Sequence, residues 1–340
     1  MAKEALAIKY RPKEFNDLTE QNAIKDILEN QIKTKTFQHG YLFTGPAGTG
    51  KTTSARIFAS MINDGKGNPI EVDAASNSGV DNIRQIIEDA KRKPLDAEYK
   101  IFIVDECHSL SNGAWQALLK TLEEPPKFTI FIFCTTDPQK VPATILSRVQ
   151  RYNFQKISNE GIVNRLISII KKENDSFNIH YDLDAIEYIA KVSSGGMRDA
   201  ITLMDKCLSL SDVLTLENVL KTIGAEDYST FITFLSALEE KEKEISIKVI
   251  EDVYNAGKDV KQFMKDFARF ILEVEKYALY GNFDYVNLPN TLERNLEQLN
   301  SVDLFNVMDF VVSLNNQIKW DNDPKTLIEL SILIYCGKEY

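Results

Sequence analysis

Two hydrophobic patterns divide the sequence. Over the first 156 residues, short apolar runs alternate with stretches in which apolar residues recur every three or four positions. This alternation is typical of βαβ units around a parallel sheet. Because the apolar runs are nearly continuous, we expect strands that helices bury on both faces, in a doubly wound α/β fold. The predicted strands are GYLFTG (40–45), PIEVDA (69–74), KIFIVDE (100–106), FTIFIFCTT (128–136) and RYNFQ (151–155).

After residue 156 the strand signals stop and the helical period dominates. We therefore predict an α/β domain over 1–156, a small helical domain over 157–225 and an all-helical domain over 226–340. Pro289 marks a loop within the last domain, and the charged runs KRK (91–93) and EEKEKE (239–244) are interpreted as solvated helix ends. The predicted helical stretches are NEGIVNRLISIIKKE (159–173), LDAIEYIAKV (183–192), RDAITLMDKCLSL (198–210), STFITFLSALEEKEKE (229–244), VKQFMKDFARFILEVEKYALY (260–280), SVDLFNVMDFVVSLNNQIK (301–319) and KTLIELSILIY (325–335).

Composition excludes several classes of protein. With 44% hydrophobic and 26% charged residues, the chain has the makeup of an ordinary globular protein. No apolar run approaches the roughly 20 residues that cross a bilayer, and the charged start lacks the apolar core of a signal peptide, so we expect neither membrane spanning nor export. The four cysteines and three histidines are scattered without zinc-ligand spacing. A cytoplasmic chain with reduced thiols and no Cys/His metal cluster is expected.

The net charge of -10 is unevenly distributed along the chain. Residues 1–160 carry 21 basic and 20 acidic side chains, whereas residues 161–340 carry 19 basic and 30 acidic ones. The net charge of the whole chain argues against a nucleic-acid partner. The excess of acidic residues, however, lies in the helical half.

The segment GPAGTGKTT (45–53) carries the most specific chemistry. It fits the pattern G-x-x-x-x-G-K-[ST] and lies between a predicted strand and a predicted helix, which is the context of a phosphate-binding loop. Backbone N–H groups of such a loop surround the phosphates of a nucleotide, Lys51 reaches the β- and γ-phosphates, and the Thr52 hydroxyl ligates Mg²⁺. The predicted nucleotide-binding residues of the loop are Gly45, Pro46, Ala47, Gly48, Thr49, Gly50, Lys51, Thr52 and Thr53.

A second element, IFIVDECH, ends a predicted strand with two acidic residues. We predict that Asp105 holds the Mg²⁺ shell and that Glu106 polarises the water that attacks the γ-phosphate. DECH also resembles the box of one helicase superfamily. A helicase of that type needs a second α/β motor domain, and residues 157–340 show no succession of strands that could form one.

Together with KYRPKEFNDL (9–18), EVDAASNSGVDNIR (71–84), LLKTLEEPP (118–126), TTDPQKVPATILSRV (135–149) and GGMRDA (195–200), these motifs resemble the clamp-loader group of AAA+ ATPases, and within it the bacterial gamma/tau family. The resemblance covers roughly residues 5–225. It implies an AAA+ module with a five-stranded parallel sheet, a helical lid and an all-α collar. It also implies an ATPase of a DNA polymerase holoenzyme that uses ATP and Mg²⁺.

The partners that the resemblance implies are a sliding clamp, primer-template DNA and other loader subunits, in a homo- and hetero-oligomer that is pentameric in the family. Carried over to this sequence, the family's pattern makes Thr136 the sensor-1 residue, Arg148 an arginine finger that acts in trans, and Arg198 the sensor-2 residue that acts in cis. Residues of the segment 8–12, namely Tyr10, Arg11 and Pro12, match the part that packs near adenine, and Arg84 is the clearest DNA-binding cation.

Three departures from the family pattern qualify these expectations. Only NDGKGNP (63–69) stands where the bacterial subunits carry a zinc module, so no zinc is expected, as in replication factor C small subunits or compact viral loaders. Val149 replaces the cysteine of the SRC triplet and leaves Arg148 intact. The long tau extension is absent, so polymerase and helicase tethering are not expected, and a cellular and a viral source both fit.

Two alternatives stay open from the sequence. One is another AAA+ DNA-processing ATPase, such as a branch-migration motor or a helicase loader. The other is a scaffold subunit of a loader that does not hydrolyse ATP, although the intact Lys51, Thr52, Asp105 and Glu106 speak against it.

Overall fold

A five-stranded parallel sheet organises the first part of the chain. The computed structural model describes residues 4–174, 179–223, 228–283, 285–299 and 304–337. The strand order is β2-β3-β4-β1-β5, so the chain crosses over between neighbouring strands and the fold is doubly wound. The predicted α/β fold with five parallel strands is confirmed. The strands are β1 (Gly40–Thr44), β2 (Ile70–Asp73), β3 (Lys100–Asp105), β4 (Thr129–Thr135) and β5 (Gln150–Asn153).

Both faces of this sheet are covered by helices, as the continuous apolar strands require. One face packs on α2 and α3, where Tyr41 and Phe58 stack edge to face at 5.1 Å. The opposite face packs on α4 and α5, with the Phe102 and Phe131 rings 5.1 Å apart. The helices before residue 157 are α1 (Leu6–Lys9), α2 (Asn22–Thr34), α3 (Lys51–Ile62), α4 (Val80–Ala90), α5 (Asn112–Glu123) and α6 (Ala143–Leu146).

Of the next four helices, two begin at the predicted residue, the third begins one residue earlier than predicted, and the fourth was not predicted. Ser158 caps the first of them by accepting a hydrogen bond from the Gly161 amide. Our expectation that strands stop after residue 156 is wrong in one detail, because β6 (His180–Tyr181) and β7 (Val213–Leu214) form a parallel pair. Two residues per strand are too few to produce a hydrophobic alternation. The helices are α7 (Asn159–Glu173), α8 (Leu183–Val192), α9 (Met197–Leu210) and α10 (Leu216–Ile223).

The chain divides into two compact units, 1–219 and 220–340. The predicted boundary between the lid and the last domain lies at 225/226, outside the described residues, and the three-domain organisation stays a prediction. In the described part of the chain, none of the helices is long and apolar enough to cross a membrane.

The second unit is helical in its described residues and packs around the aromatic face of its longest helix, α13. The Phe234 and Phe267 rings lie 4.7 Å apart in this core. The predicted helix over 229–244 is two helices, because the chain turns after Glu239 and Lys241 adopts a left-handed conformation with φ 58°. The helices are α11 (Tyr228–Glu239), α12 (Lys243–Asn255), α13 (Val260–Tyr280), α14 (Glu293–Leu299), α15 (Phe305–Ile318) and α16 (Pro324–Gly337).

Candidate active site

The GPAGTGKTT segment forms a tight loop between the end of β1 and the start of α3. Gly45, Gly48 and Gly50 have φ values of 141°, 71° and 100°, which L side chains rarely adopt. A Cβ on Gly45 would lie 2.3 Å from the Phe154 carbonyl oxygen, and a Cβ on Gly48 would lie 2.9 Å from the Gly196 Cα atom. The loop is therefore packed directly against Phe154, the residue after β5, and against the start of α9.

Lys51 lies at the first position of α3 and its side chain is buried, with 6% of the residue exposed. Its Nζ donates hydrogen bonds to the Gly45 carbonyl at 2.8 Å and to the Pro46 carbonyl at 2.7 Å. Burial lowers the pKa of this ammonium below its ordinary value. A desolvated cation at the N-terminus of a helix is a strong attractor for phosphate, because few water molecules compete for its charge.

Thr52 and Asp105 meet at the carboxyl end of β3. The Thr52 hydroxyl donates to Asp105 Oδ2 at 2.8 Å. A hydroxyl and a carboxylate side by side form the hard oxygen ligand set that Mg²⁺ prefers, with remaining positions left to water and phosphate oxygens. These two residues therefore fit the magnesium role that the sequence predicts for them.

Glu106 adopts a left-handed backbone conformation with φ 46°, which is uncommon for a residue with a side chain. Its backbone amide donates to Asp105 Oδ1 at 3.0 Å, and its Oε2 accepts a hydrogen bond from the Thr136 hydroxyl at 3.3 Å. The sensor-1 candidate thus touches the candidate base directly. His108, which the sequence gave no reason to select, has its Nδ1 3.3 Å from the same oxygen.

A cavity of about 290 Å³ unites most of the predicted residues. Arg198, at the second position of α9, also lines it, and the adjacent Met197 amide donates to the Gly48 carbonyl at 3.0 Å. Gly45 and Pro46 do not line the cavity but provide the carbonyls that hold Lys51. The predicted residues that line it are Tyr10, Arg11, Pro12, Ala47, Gly48, Thr49, Gly50, Lys51, Thr52, Thr53, Asp105, Glu106 and Arg198.

The N-terminal segment is held against the cavity by residues far along the chain. Glu173, which is 3% exposed at the end of α7, accepts hydrogen bonds from the Tyr10 hydroxyl and from Lys9 Nζ, each at 2.5 Å. Burial and this contact raise the pKa of Tyr10. Arg165 Nη2 donates to the Tyr10 carbonyl at 2.9 Å. Glu173 and Arg165 were missed from the sequence, since nothing local links them to a segment about 160 residues away.

Besides Gly45 and Pro46, three predicted residues are not among those that line the cavity: Thr136, which contacts it through Glu106, and the two arginines Arg148 and Arg84. Arg148 Nη2 pairs with Glu123 Oε1 at 2.7 Å, and its Nη1 donates to the Thr144 carbonyl at 2.7 Å. Its side chain is 33% exposed. Arg84 is an exposed residue of α4 that pairs with Asp81 at 3.1 Å.

In the described ranges, no group of three or more His, Cys, Asp or Glu side chains could hold a metal ion. The expectation that the chain binds no zinc stays a prediction. It concerns the zinc module that the bacterial subunits carry, and the placement of these side chains does not test it. All four cysteines are buried thiols.

Comparison with known proteins places these motifs in a family. Residues 69–158 match the family model described as "DNA polymerase III, delta subunit", and residues 161–213 match that of "DNA polymerase III clamp loader subunit, ATPase lid domain". The chain is 35% identical to the DNA polymerase III subunit tau of Bacillus subtilis (strain 168), an alignment that covers 99% of this chain and 64% of that protein. It is 30% identical to the DNA polymerase III subunit gamma of Buchnera aphidicola subsp. Baizongia pistaciae, over 96% of this chain and 95% of that protein.

Some relatives are much longer than this chain, which spans 52% of the gamma/tau subunit of Mycoplasma genitalium and 42% of the tau/gamma subunit of Haemophilus influenzae. Among solved structures, the Thermotoga maritima RuvB Holliday junction branch migration motor superposes with a TM-score of 0.51 at 22% identity, over 68% of this chain and 80% of that one. This likeness shows a shared AAA+ fold.

Proposed function

Because the chain belongs to the gamma/tau family of DNA polymerase III clamp-loader subunits, we propose that it is an ATP-driven loader subunit that opens a sliding clamp and places it on primer-template DNA. One observation carries the proposal: a single cavity brings together the phosphate loop, the Thr52–Asp105 pair, Glu106 and Arg198. A scaffold that does not hydrolyse ATP would have no need of a candidate base beside a magnesium ligand pair.

In this proposal each side chain has a role that its surroundings support. Lys51 and the loop amides bind the β- and γ-phosphates of ATP, and Arg198 contacts the phosphates from α9. Thr52 and Asp105 hold Mg²⁺, which neutralises charge on the phosphates when bound. Glu106 accepts the proton of the attacking water, and Thr136 orients the Glu106 carboxylate through Oε2.

The segment 10–12 forms the side of the cavity that receives the adenine. Contacts of this segment with Arg165 and Glu173 link the adenine to α7. Binding of ATP would therefore fix helices of the lid relative to the phosphate loop. With such a link, the conformation of the chain depends on which nucleotide is bound. A loader needs this dependence in order to open and release a clamp.

Arg148 is proposed to act on a neighbouring subunit, since it lies outside its own chain's cavity and keeps a partly exposed guanidinium. Arg84, on an exposed face of α4, is the proposed DNA contact. Assembly into a pentamer and a cytoplasmic location are part of the proposal and rest on the family resemblance. Because residues 161–340 are strongly acidic, we expect DNA binding by the lone chain to be weak and to require assembly and ATP.

The alternative of a branch-migration motor has only the AAA+ fold in its favour, because the RuvB structures share about a fifth of their residues with this chain. The test is ATP turnover measured with and without a sliding clamp and primed DNA. We expect full stimulation only when both are present, whereas a motor would respond to DNA alone and a scaffold would not turn over ATP.

Two variants separate binding from hydrolysis in that assay. Lys51→Ala should abolish ATP binding, and Arg148→Ala should leave binding intact but remove the stimulated hydrolysis. Arg151→Ala, at an exposed arginine three residues further along the chain, is the matched control and should behave as the wild type. If Arg148→Ala is stimulated as fully as Arg151→Ala in the assembled loader, the assignment of Arg148 as a finger is wrong.

A further inference from the structure

His108 lies between the candidate base and the end of strand β4. It is part of a short turn over Cys107–Ser109, directly after Glu106. Its Nδ1 atom is 3.3 Å from Glu106 Oε2 and 3.1 Å from the Thr135 hydroxyl oxygen. The side chain is only 20% exposed, so these contacts are shielded from most of the solvent.

The surroundings of Nδ1 determine which ring nitrogen carries the proton. A carboxylate oxygen only accepts hydrogen bonds, so an unprotonated Nδ1 would place a lone pair against another lone pair. The Thr135 hydroxyl oxygen accepts from the Asp137 amide at 3.0 Å and lies 3.1 Å from Nδ1. A protonated Nδ1 donates to the Thr135 hydroxyl and places its positive N–H end near Glu106 Oε2, whereas an unprotonated Nδ1 would repel that oxygen.

Glu106 therefore has its two carboxylate oxygens in different environments. Oε2 receives the Thr136 hydroxyl and faces His108 Nδ1, whereas Oε1 contacts no donor within the described part of the chain. Since Glu106 lines the nucleotide cavity, Oε1 is the oxygen that remains free to accept a proton from water. A carboxylate tied through one oxygen cannot rotate freely about its last bond, and that restriction keeps the other oxygen in place.

We propose that His108 is a positioning residue for Glu106: its protonated Nδ1, anchored on the Thr135 hydroxyl, attracts Oε2 across 3.3 Å and so presents Oε1 to the attacking water. This inference rests on the proposed ATPase function and adds a residue to it. The anchor for His108 itself is Thr135, which is fully buried at the end of β4 and pairs with Thr44 beside the phosphate loop. The orientation of the base is thereby tied to the sheet and not to a surface loop.

Two substitutions at this position distinguish positioning from packing. The amide nitrogen of Asn takes the place of Nδ1, so His108→Asn keeps a donor toward Glu106, whereas the longer Gln places its donor near Nε2 and His108→Gln loses the contact. In steady-state turnover we expect His108→Gln to lower kcat at least about tenfold with KM for ATP changed less than about twofold, and His108→Asn to stay within about threefold of the wild type.

Equal losses in both variants would overturn the inference, and so would faster turnover by His108→Gln, because it would mean that the contact holds Glu106 away from water. Glu106→Gln is the control for the function itself. If Glu106→Gln hydrolyses ATP at the wild-type rate, the proposed role of Glu106 fails, whatever His108 does.

A second measurement does not depend on turnover. The sequence has only three histidines, so ¹⁵N-histidine labelling of the full chain gives few imidazole signals, and the signal missing from His108→Asn assigns His108. At about pH 9, where ordinary histidines are neutral and favour a proton on Nε2, we expect the chemical shift of His108 Nδ1 to be that of a protonated nitrogen. An unprotonated Nδ1 overturns the inference.

Discussion

Substitution of Gly48 by alanine tests whether the phosphate loop depends on its contact with the start of α9. Gly48 has φ 71°, and an added Cβ would lie 2.9 Å from Gly196 Cα and 3.4 Å from the Met197 amide nitrogen. Carbon atoms normally pack about 3.5–4.0 Å apart, so the two backbones must separate by at least about 0.5 Å. Because both atoms belong to backbone, no side-chain rotation can relieve the contact.

The expected cost has two parts. The left-handed conformation costs an L-residue about 1–2 kcal/mol relative to glycine. Separation of the backbones also weakens the 3.0 Å hydrogen bond from the Met197 amide to the Gly48 carbonyl, a bond of a type that contributes about 0.5–1.5 kcal/mol. We expect Gly48→Ala to lower the free energy of unfolding of residues 1–219 by about 2–3 kcal/mol in all.

Gly65→Ala provides a matched control. Gly65 has nearly the same φ, 75°, but no atom lies within 4 Å of a Cβ added there. In this variant the free energy of unfolding should fall only by the conformational contribution, about 1–2 kcal/mol. The difference between the two variants therefore isolates the contact between the phosphate loop and α9.

The assay is urea unfolding followed by tryptophan fluorescence. The sequence has two tryptophans, of which Trp115 is 3% exposed in the first unit and Trp320 is 81% exposed in the second. In a Trp320→Phe background, the signal reports the first unit alone. ATP affinity of the same proteins should fall about tenfold for Gly48→Ala, which corresponds to about 1.4 kcal/mol, and less than twofold for Gly65→Ala.

Equal unfolding free energies and equal ATP affinities for the two alanine variants would refute the reasoning. They would mean that the loop and α9 separate without loss, and that Arg198, which α9 carries, is not brought to the phosphates by this contact.

Three other outcomes are expected. Glu123→Gln should reduce the stimulated hydrolysis of the assembled loader severalfold, because Glu123 holds the Arg148 guanidinium at 2.7 Å, whereas Glu124→Gln should not; equal effects would contradict this positioning. The Ser76 hydroxyl and a backbone amide lower the pKa of Asp73, so its carboxylate should stabilise the fold at neutral pH and lose that effect as the pH falls below 3.8. In acid unfolding curves, the difference in stability between the wild type and Asp73→Asn should therefore close over that range. The four buried thiols should resist a thiol reagent in the folded chain and react after unfolding; fast reaction of any one in the native chain would contradict its burial.

The sheet and many of the helices were predictable because their signals are local. The helix predicted over 159–173 has those bounds in the structure, since its apolar positions, its Ser158 cap and its polar face all lie within 16 consecutive residues. The prediction over 229–244 failed because helix-forming residues continue past Glu239, while the left-handed turn at Lys241 follows from packing of α11 on α12. The β6–β7 pair joins segments more than 30 residues apart and leaves no periodic trace.

The same distinction applies to the candidate site. By itself, the sequence determined the parts of the site that are contiguous in the chain: the phosphate loop, and the acidic pair that ends β3. Their roles follow from residue types at fixed spacing on a strand, a loop and a helix, which short-range geometry enforces.

Only the tertiary structure decided which distant residues complete the site. It placed His108 and Thr136 on one oxygen of Glu106, Glu173 on Tyr10, and Arg148 on Glu123 instead of in its own cavity. Contacts of this kind depend on the strand order and on the orientation of side chains across packed elements. A local sequence pattern determines neither of them, because any acidic or polar residue of suitable length could have made each contact.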